Sequence, residues 1–341
     1  MNCKIRVAAD TRWPDTTGIG RVQNEMTKRM PEPFEIVALP VSGRIGSIFG
    51  PLLLYISLKT HGKNTKLFWN PGFVPPLLGC RKSVVVIHDL THLRHYTVFH
   101  RVYFTVILRR LYRRCAAVIC VSDFVKQEFL QWSQMPERKV FVVPNGVDDA
   151  FFKVAPAVRV RLGYRYILYP GNARKYKNLE RLIEAYSVSR VWEQDIHLVL
   201  TTSMTAHFET QIRNAGLTSF VHFLGEYAAN DMPELYQGAH MIAYVSLAEG
   251  FGLPIIEGMA AGVPVVTSNV TSMPMVAGDA AVLVDPFSVP SIADAIHRVC
   301  LDETLRAELI EKGNDQAKKY SWDRSATLLW TIMGEVAASL D

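Results

Sequence analysis

The residues best suited to chemistry lie between Met241 and Glu257. Met241 to Val245 is a short apolar run of the kind that forms a buried strand. Glu249-Gly-Phe-Gly-Leu-Pro-Ile-Ile-Glu257 follows it. Gly250 and Gly252 allow a sharp turn that leaves backbone N–H groups uncovered. Pro254 suits the first position of a helix, where a missing N–H costs nothing. That helix aims its free amides and its positive end back at the loop, a geometry that receives an anion or a ring of hydroxyls. Glu249 in the loop and Glu257 about one turn inside the helix bracket this place. Two carboxylates repel phosphate, so their expected partners are hydroxyl groups. A ligand with both phosphate and polyol parts describes a sugar nucleotide.

Three further places carry candidate chemistry. In Gly171-Asn-Ala-Arg-Lys-Tyr-Lys177 a strand ends in glycine and a basic loop leads to a helix near Asn178; Arg174, Lys175 and Lys177 can neutralise a diphosphate, or can form an ordinary basic surface loop. Gly18-Ile-Gly20-Arg21 opens a helix after the first strand and can cradle phosphate. It fails as a dinucleotide fingerprint, because Gln23 stands where a third glycine is required. His88 ends the strand Ser83 to Ile87, and a polar group at the C-terminal end of a parallel strand faces the ligand crevice of an open α/β sheet. A structural histidine capping the strand is the other reading. His88 and His92 imitate a zinc-binding pair only superficially, since that motif needs both histidines on one helix face.

The elements that must position these groups alternate in type. Strands are expected at Ile5 to Ala9, Phe34 to Leu39, Lys66 to Trp69, Ser83 to Ile87, Ala117 to Val121 and Val140 to Val143, and again at Tyr166 to Tyr169, His197 to Leu200, Val221 to Leu224, Met241 to Val245 and Val263 to Thr267. Helical patterns separate them, with Ser122 as an N-cap and helices at Ile292 to Cys300, Leu305 to Lys312 and Asp323 to Val336. Two doubly wound α/β domains follow, joined by a linker near Asp149 to Val160. The 341 residues suffice for both, and 49% hydrophobic with 20% charged residues is an ordinary globular balance. The net charge of +5 favours anionic partners without naming one, and nothing in the chain calls for nucleic acid. Five cysteines without a Cys-x-x-Cys pair point to a reducing cytosol and no structural metal. The first residues lead directly into a strand and lack the pattern of a signal peptide. Ile45 to Leu58 is apolar but too short to span a bilayer. From His100 to Arg114 an apolar stripe (Tyr103, Phe104, Ile107, Leu111) ends in Arg109, Arg110, Arg113 and Arg114. Such a helix suits an anionic membrane surface or a core-facing position with a solvated end.

Glu-x7-Glu enclosing Gly-Phe-Gly-Leu-Pro resembles the retaining glycosyltransferases of family four, most closely the bacterial mannosyltransferases, and Pro274-Met-Val-Ala-Gly-Asp to Pro286 completes the likeness. The resemblance runs over nearly the whole chain. It implies an α/β GT-B fold, two doubly wound Rossmann-like domains facing an interdomain cleft: residues 1–155 on the acceptor side, 156–320 for the sugar nucleotide, and 321–341 as a C-terminal helix returning to the first domain, anchored by Trp322. It implies catalytic roles for His88, Lys177 and Glu249, with His88 beside the transferred sugar. Donor contacts would come from Gly18, Gly20, Arg174, Lys177, Tyr227, Glu249, Gly250, Phe251, Gly252, Leu253 and Glu257. Within that set Glu249 meets sugar hydroxyls, Glu257 meets the ribose, and Tyr227 belongs to a loop lining the nucleobase pocket. The chain departs from one family pattern in having Asn172 where an arginine follows glycine; Arg174 is the expected substitute. The chemistry implied is front-face displacement without a metal or other cofactor. The donor leans to GDP-mannose, with UDP-sugars as the alternative. The acceptor would be a glycan or polyprenyl-linked saccharide of surface polysaccharide biosynthesis. The expected location is cytoplasmic, with peripheral contact to the inner face of an anionic membrane. A non-catalytic glycan-binding protein on the same fold, or a phosphorylase-like or epimerase-like enzyme, stays open.

Overall fold

The computed structural model describes residues 4–15, 17–91, 93, 98–152, 162–225 and 227–340. Cys3, His92, Glu226 and residues 153–160 of the expected linker lie outside them. The chain divides into two compact units, Met1–Gly146 with Trp322–Asp341, and Val147–Ser321. The leading segment of the first unit ends at Gly146. Asp149–Phe152, expected in the linker, is a short helix of the second unit.

The first unit is built on a parallel sheet in the order β2-β1-β3-β4-β5-β6. Its strands are β1 (Ile5–Ala9), β2 (Phe34–Ala38), β3 (Leu67–Asn70), β4 (Ser83–Ile87), β5 (Ala117–Cys120) and β6 (Val140–Val142). Runs such as Ser-Val-Val-Val-Ile are buried along their whole length, as strands covered on both faces must be. The order reverses between β1 and β3, which places a ligand crevice beyond the C-terminal ends of those strands. The helix Trp322–Ala338 belongs to this unit. Trp322 is buried, but Trp330 makes the larger anchorage: its ring lies 4.9 Å from Phe34 and 5.9 Å from Trp69, and its Nε1 donates to the Met26 carbonyl at 3.0 Å.

Two segments of this unit differ from expectation. Gly50–His61, read only as an apolar stretch, is a helix with Pro51 in its first turn. The helix from Val98 is interrupted by a π turn at Phe104–Leu108 before resuming at Arg109–Tyr112. A π turn adds a residue and rotates everything after it. Leu108 is therefore buried, while Ile107, placed in the apolar stripe by regular spacing, is 41% exposed.

The second unit carries the parallel sheet β12-β11-β10-β7-β8-β9. Its strands are β7 (Arg165–Tyr169), β8 (Ile196–Leu200), β9 (Val221–Phe223), β10 (Met241–Tyr244), β11 (Val265–Ser268) and β12 (Val282–Val284). Here the order reverses between β7 and β10, which pair directly (Met241↔Ile167, Ile242↔Leu168). The loops leaving these two strands are the basic loop ending at Lys177 and the glycine loop beginning at Glu249. The topology alone therefore brings the two strongest motifs to one crevice.

Candidate active site

The loop after β7 is held by Asn178. This residue takes the left-handed conformation (φ 65°), which asparagine tolerates better than most residues. Its buried side-chain amide donates to the Val245 carbonyl at 2.9 Å and to the Pro286 carbonyl at 2.8 Å. Leu247 N–H donates to the Tyr176 carbonyl at 2.7 Å, so the loops after β7 and β10 are stitched together. Lys177 is thereby fixed at the mouth of the crevice. Its Nζ lies 2.7 Å from Glu249 Oε1 and donates to the Tyr244 hydroxyl at 2.6 Å. Both charged side chains are about nine-tenths buried, with 11% and 12% exposure. Burial, and after it the Glu249 charge, hold the Tyr244 phenol well above its ordinary range. Tyr244 therefore remains neutral and orients the ion pair by hydrogen bonding.

Glu249 is set by its backbone as well. Its N–H donates to Thr271 Oγ1 at 3.2 Å, and the Ser272 hydroxyl donates to the carbonyls of Glu249 and Phe251 at 2.9 and 3.0 Å. Gly252 caps the helix Leu253–Ala260 with φ 103°, a conformation that strains any other residue. Among the described residues, the first turn of this helix receives no side-chain cap hydrogen bond. Phe251 packs inward, 4% exposed and edge-on to Tyr320 at 5.4 Å. Its ring anchors the loop, so what it can offer a ligand is backbone.

Glu257 sits apart from the Lys177–Glu249 pair. It is 5% exposed, and its Oε2 accepts from the Tyr236 hydroxyl at 2.7 Å. Tyr236 is held in turn by Phe151, edge-on at 5.1 Å. Arg174 is exposed, and its guanidinium turns to the Tyr176 hydroxyl at 3.4 Å rather than onto Lys177. Its N–H donates to Asn172 Oδ1, so the residue in the family's arginine position shapes the loop. Tyr227 is half-buried.

The remaining predicted residues belong to the first unit. Thr17 caps the helix Gly18–Lys28, its hydroxyl accepting the Gly20 N–H at 3.0 Å. A Cβ on Gly20 would lie 2.0 Å from the Pro14 carbonyl oxygen, whereas one on Gly18 would meet nothing. Gly20 is thus required for close chain approach, and its amide is committed to the cap. His88 is half-buried, with its Nε2 2.7 Å from the Pro71 carbonyl. A carbonyl only accepts, so Nε2 carries the proton and Nδ1 keeps a lone pair. Burial pushes the His88 pKa down, leaving a neutral ring with one acceptor nitrogen. Near the end of β1, Asp10 is buried and gripped by Arg12 through two hydrogen bonds of 2.8 Å. Sequence reading passed over this pair, although an acid closing an apolar strand was the available signal.

Comparison with solved structures places this architecture. The chain matches HepE from Anabaena, solved in complex with UDP and glucose, over 98% of its own length and 100% of that chain, with a TM-score of 0.79 at 17% identity. WaaG, a glycosyltransferase involved in lipopolysaccharide biosynthesis, matches over 98% of this chain and 99% of its own, with a TM-score of 0.75 at 17% identity. The fold is therefore the two-domain α/β GT-B fold. Residues 153–316 match the family of Glycosyl transferases group 1, and residues 61–151 match Glycosyltransferase Family 4; the chain belongs to this family of glycosyltransferases. Among its relatives, O-antigen chain mannosyltransferase B of Escherichia coli is 31% identical over 232 residues, 62% of this chain and 58% of that protein. O-antigen chain mannosyltransferase RfbU of Salmonella typhimurium is 26% identical over 276 residues, 80% of this chain and 74% of that protein.

Proposed function

We propose that the protein is a retaining, metal-independent hexosyltransferase that takes mannose from GDP-mannose. It passes the sugar to a glycan or polyprenyl-linked saccharide during assembly of a surface polysaccharide. The observation that carries this reading is the Lys177–Glu249 pair at the strand-order reversal between β7 and β10. Without donor, the two charges satisfy each other. An arriving diphosphate competes for the ammonium, and the sugar hydroxyls take over the carboxylate. Lys177 and the amides of the Leu253–Ala260 helix then meet the charge that develops on the leaving diphosphate, which lowers the barrier. This supplies the counter-charge from the chain itself, in support of a metal-free reaction. Glu257, held by Tyr236, is the ribose contact, and Arg174 a second cation for the phosphates. Gly18 and the neutral Nδ1 of His88 are offered to donor phosphate and sugar hydroxyl respectively. The leaving phosphate oxygen accepts the acceptor's proton, so no carboxylate nucleophile is needed.

The mannosyltransferase relatives favour GDP-mannose; the UDP and glucose held by HepE favour a UDP-sugar as the second reading. A thermal-shift series with GDP-mannose, GDP, UDP-glucose and UDP in the presence of EDTA separates them. The expected result is stabilisation by the guanosine ligands alone. Stabilisation by the uridine ligands alone transfers the assignment to a UDP-sugar, and dependence on added Mg2+ contradicts the metal-free mechanism.

A cytoplasmic location with peripheral membrane contact is part of the proposal. Phe49, Leu52 and Ile56 on one side and Val98, Phe99 and Val102 on the other are exposed between 41% and 71%, and the Tyr103 hydroxyl donates to the Ile48 carbonyl, joining the two segments. An apolar surface of this kind suits an interface with lipid. The arginines do not act as one patch: Arg109 is half-buried and donates to the Ser133 carbonyl at 3.3 Å. Co-sedimentation with anionic liposomes is expected, weakened by Phe49→Ser with Phe99→Ser; unchanged binding contradicts this surface.

A further inference from the structure

A cavity opens in the first unit at the end of its sheet opposite to His88. Three neighbouring strands begin there. Arg81 lies in the turn leading into β4, Arg113 and Arg114 lead into β5, and Lys139 leads into β6. Parallel pairing sets these approaches side by side, with Val84 opposite Ala117 and Val118 opposite Val140. Together with Ser339 and Leu340 the four cations line a cavity of ≈ 470 Å³.

Among the described residues, no carboxylate side chain belongs to this lining. Among the described residues, Arg81, Arg113 and Arg114 have no acid as an ion-pair partner. Lys139 Nζ donates to the Cys115 carbonyl at 3.1 Å, which fixes its ammonium without neutralising it. Cations gathered without counter-charge repel one another, and a multivalent anion relieves that repulsion. Arginine forks engage phosphate oxygens two at a time, so three arginines and a fixed lysine suit a phosphate group better than a carboxylate. The five residues of β4, about 17 Å at ~3.3 Å per residue, separate this place from His88. We infer that the cavity is a second anion site that takes a phosphomonoester or diphosphate group, independent of the Lys177 crevice. A soluble phosphorylated compound and a phosphate-bearing lipid headgroup share this chemistry.

Calorimetric titration of inorganic pyrophosphate into the full chain carrying Lys177→Ala tests the inference with the Lys177 crevice silenced. Saturable binding is expected at about 0.15 M salt. Adding Arg81→Ser with Arg114→Ser is expected to weaken it about tenfold or more, one charge-assisted contact being worth at least that factor. Arg113→Ser alone is the second variant, with unchanged unfolding midpoint as the folding control. Absence of pyrophosphate binding in the Lys177→Ala chain overturns the site, as does equal binding by the arginine variants. Vesicles of phosphatidylglycerol and phosphatidylcholine identify the source. Sedimentation with them that requires Arg81 and Arg114 assigns a lipid headgroup to the site; pyrophosphate binding with sedimentation indifferent to those arginines assigns a soluble phosphate.

Discussion

Lys177, Glu249 and Glu257 could be picked out from the sequence because glycines, proline and charges are concentrated around them. Their partners could not. Tyr244 and Tyr236 sit in apolar runs and read as core, and both are in fact buried; only the fold shows that their hydroxyls meet Glu249's ion pair and Glu257. Asn178 reads as a helix start, yet its amide ties together segments more than sixty residues apart. The two glutamates are expected to divide the donor between them. A hydrogen bond to a charged group is worth about 1.5–3 kcal/mol. If Glu249's contact tightens in the transition state, Glu249→Gln lowers kcat more than it raises donor KM, and Glu257→Gln mainly raises donor KM and weakens nucleotide binding. Steady-state kinetics of both variants, with nucleotide Kd, check this. The reversed pattern means that the two ends of the donor are interchanged.

Strands were the easiest elements to anticipate, since parallel strands covered on both faces are short, continuous apolar runs with little ambiguity about their extent. Gly50–His61 escaped notice for the opposite reason. Its residues are apolar nearly all round, with Leu54 and Leu58 buried but Leu52 and Ile56 exposed, so no helical period stands out. The π turn at Phe104–Leu108 breaks a period in the other way, by inserting a residue that spacing rules do not foresee. The helix Trp322–Ala338 shows its period well, but its destination is set by packing of Trp330 against Phe34 and Trp69. Trp330→Ala removes this anchor and a buried hydrogen bond. The variant is expected to lose about 3–5 kcal/mol of stability, as large aromatic truncations do. Denaturant unfolding reads the change, and a loss within experimental error contradicts the anchoring role.

Among the described residues, three histidines have their pKa depressed below the ordinary 6.5 by burial: His88, His222 and His240. His222 also faces His197, and His240 faces Arg306 and Arg165, which act in the same direction. Each is neutral in the folded chain at a pH where the unfolded chain has begun to bind a proton. The unfolded state thus takes up more protons just below pH 6.5, and stability falls as the pH drops through that window. Above it these groups contribute no pH dependence. The unfolding midpoint is expected to be lower at about pH 5.5 than at about pH 7.5, and an equal or higher midpoint in acid contradicts the burial of these rings as neutral groups.

One crevice, formed where β7 and β10 release their loops, is proposed to bind and activate a sugar nucleotide. Its most direct test needs no acceptor. Hydrolysis of GDP-mannose, in which water takes the mannosyl group and GDP is released, is measured at saturating donor for the unaltered chain and for Lys177→Ala. Loss of a charge aimed at the leaving group is expected to lower turnover about tenfold or more. Turnover of Lys177→Ala equal to that of the unaltered chain removes Lys177 from the chemistry and contradicts the account.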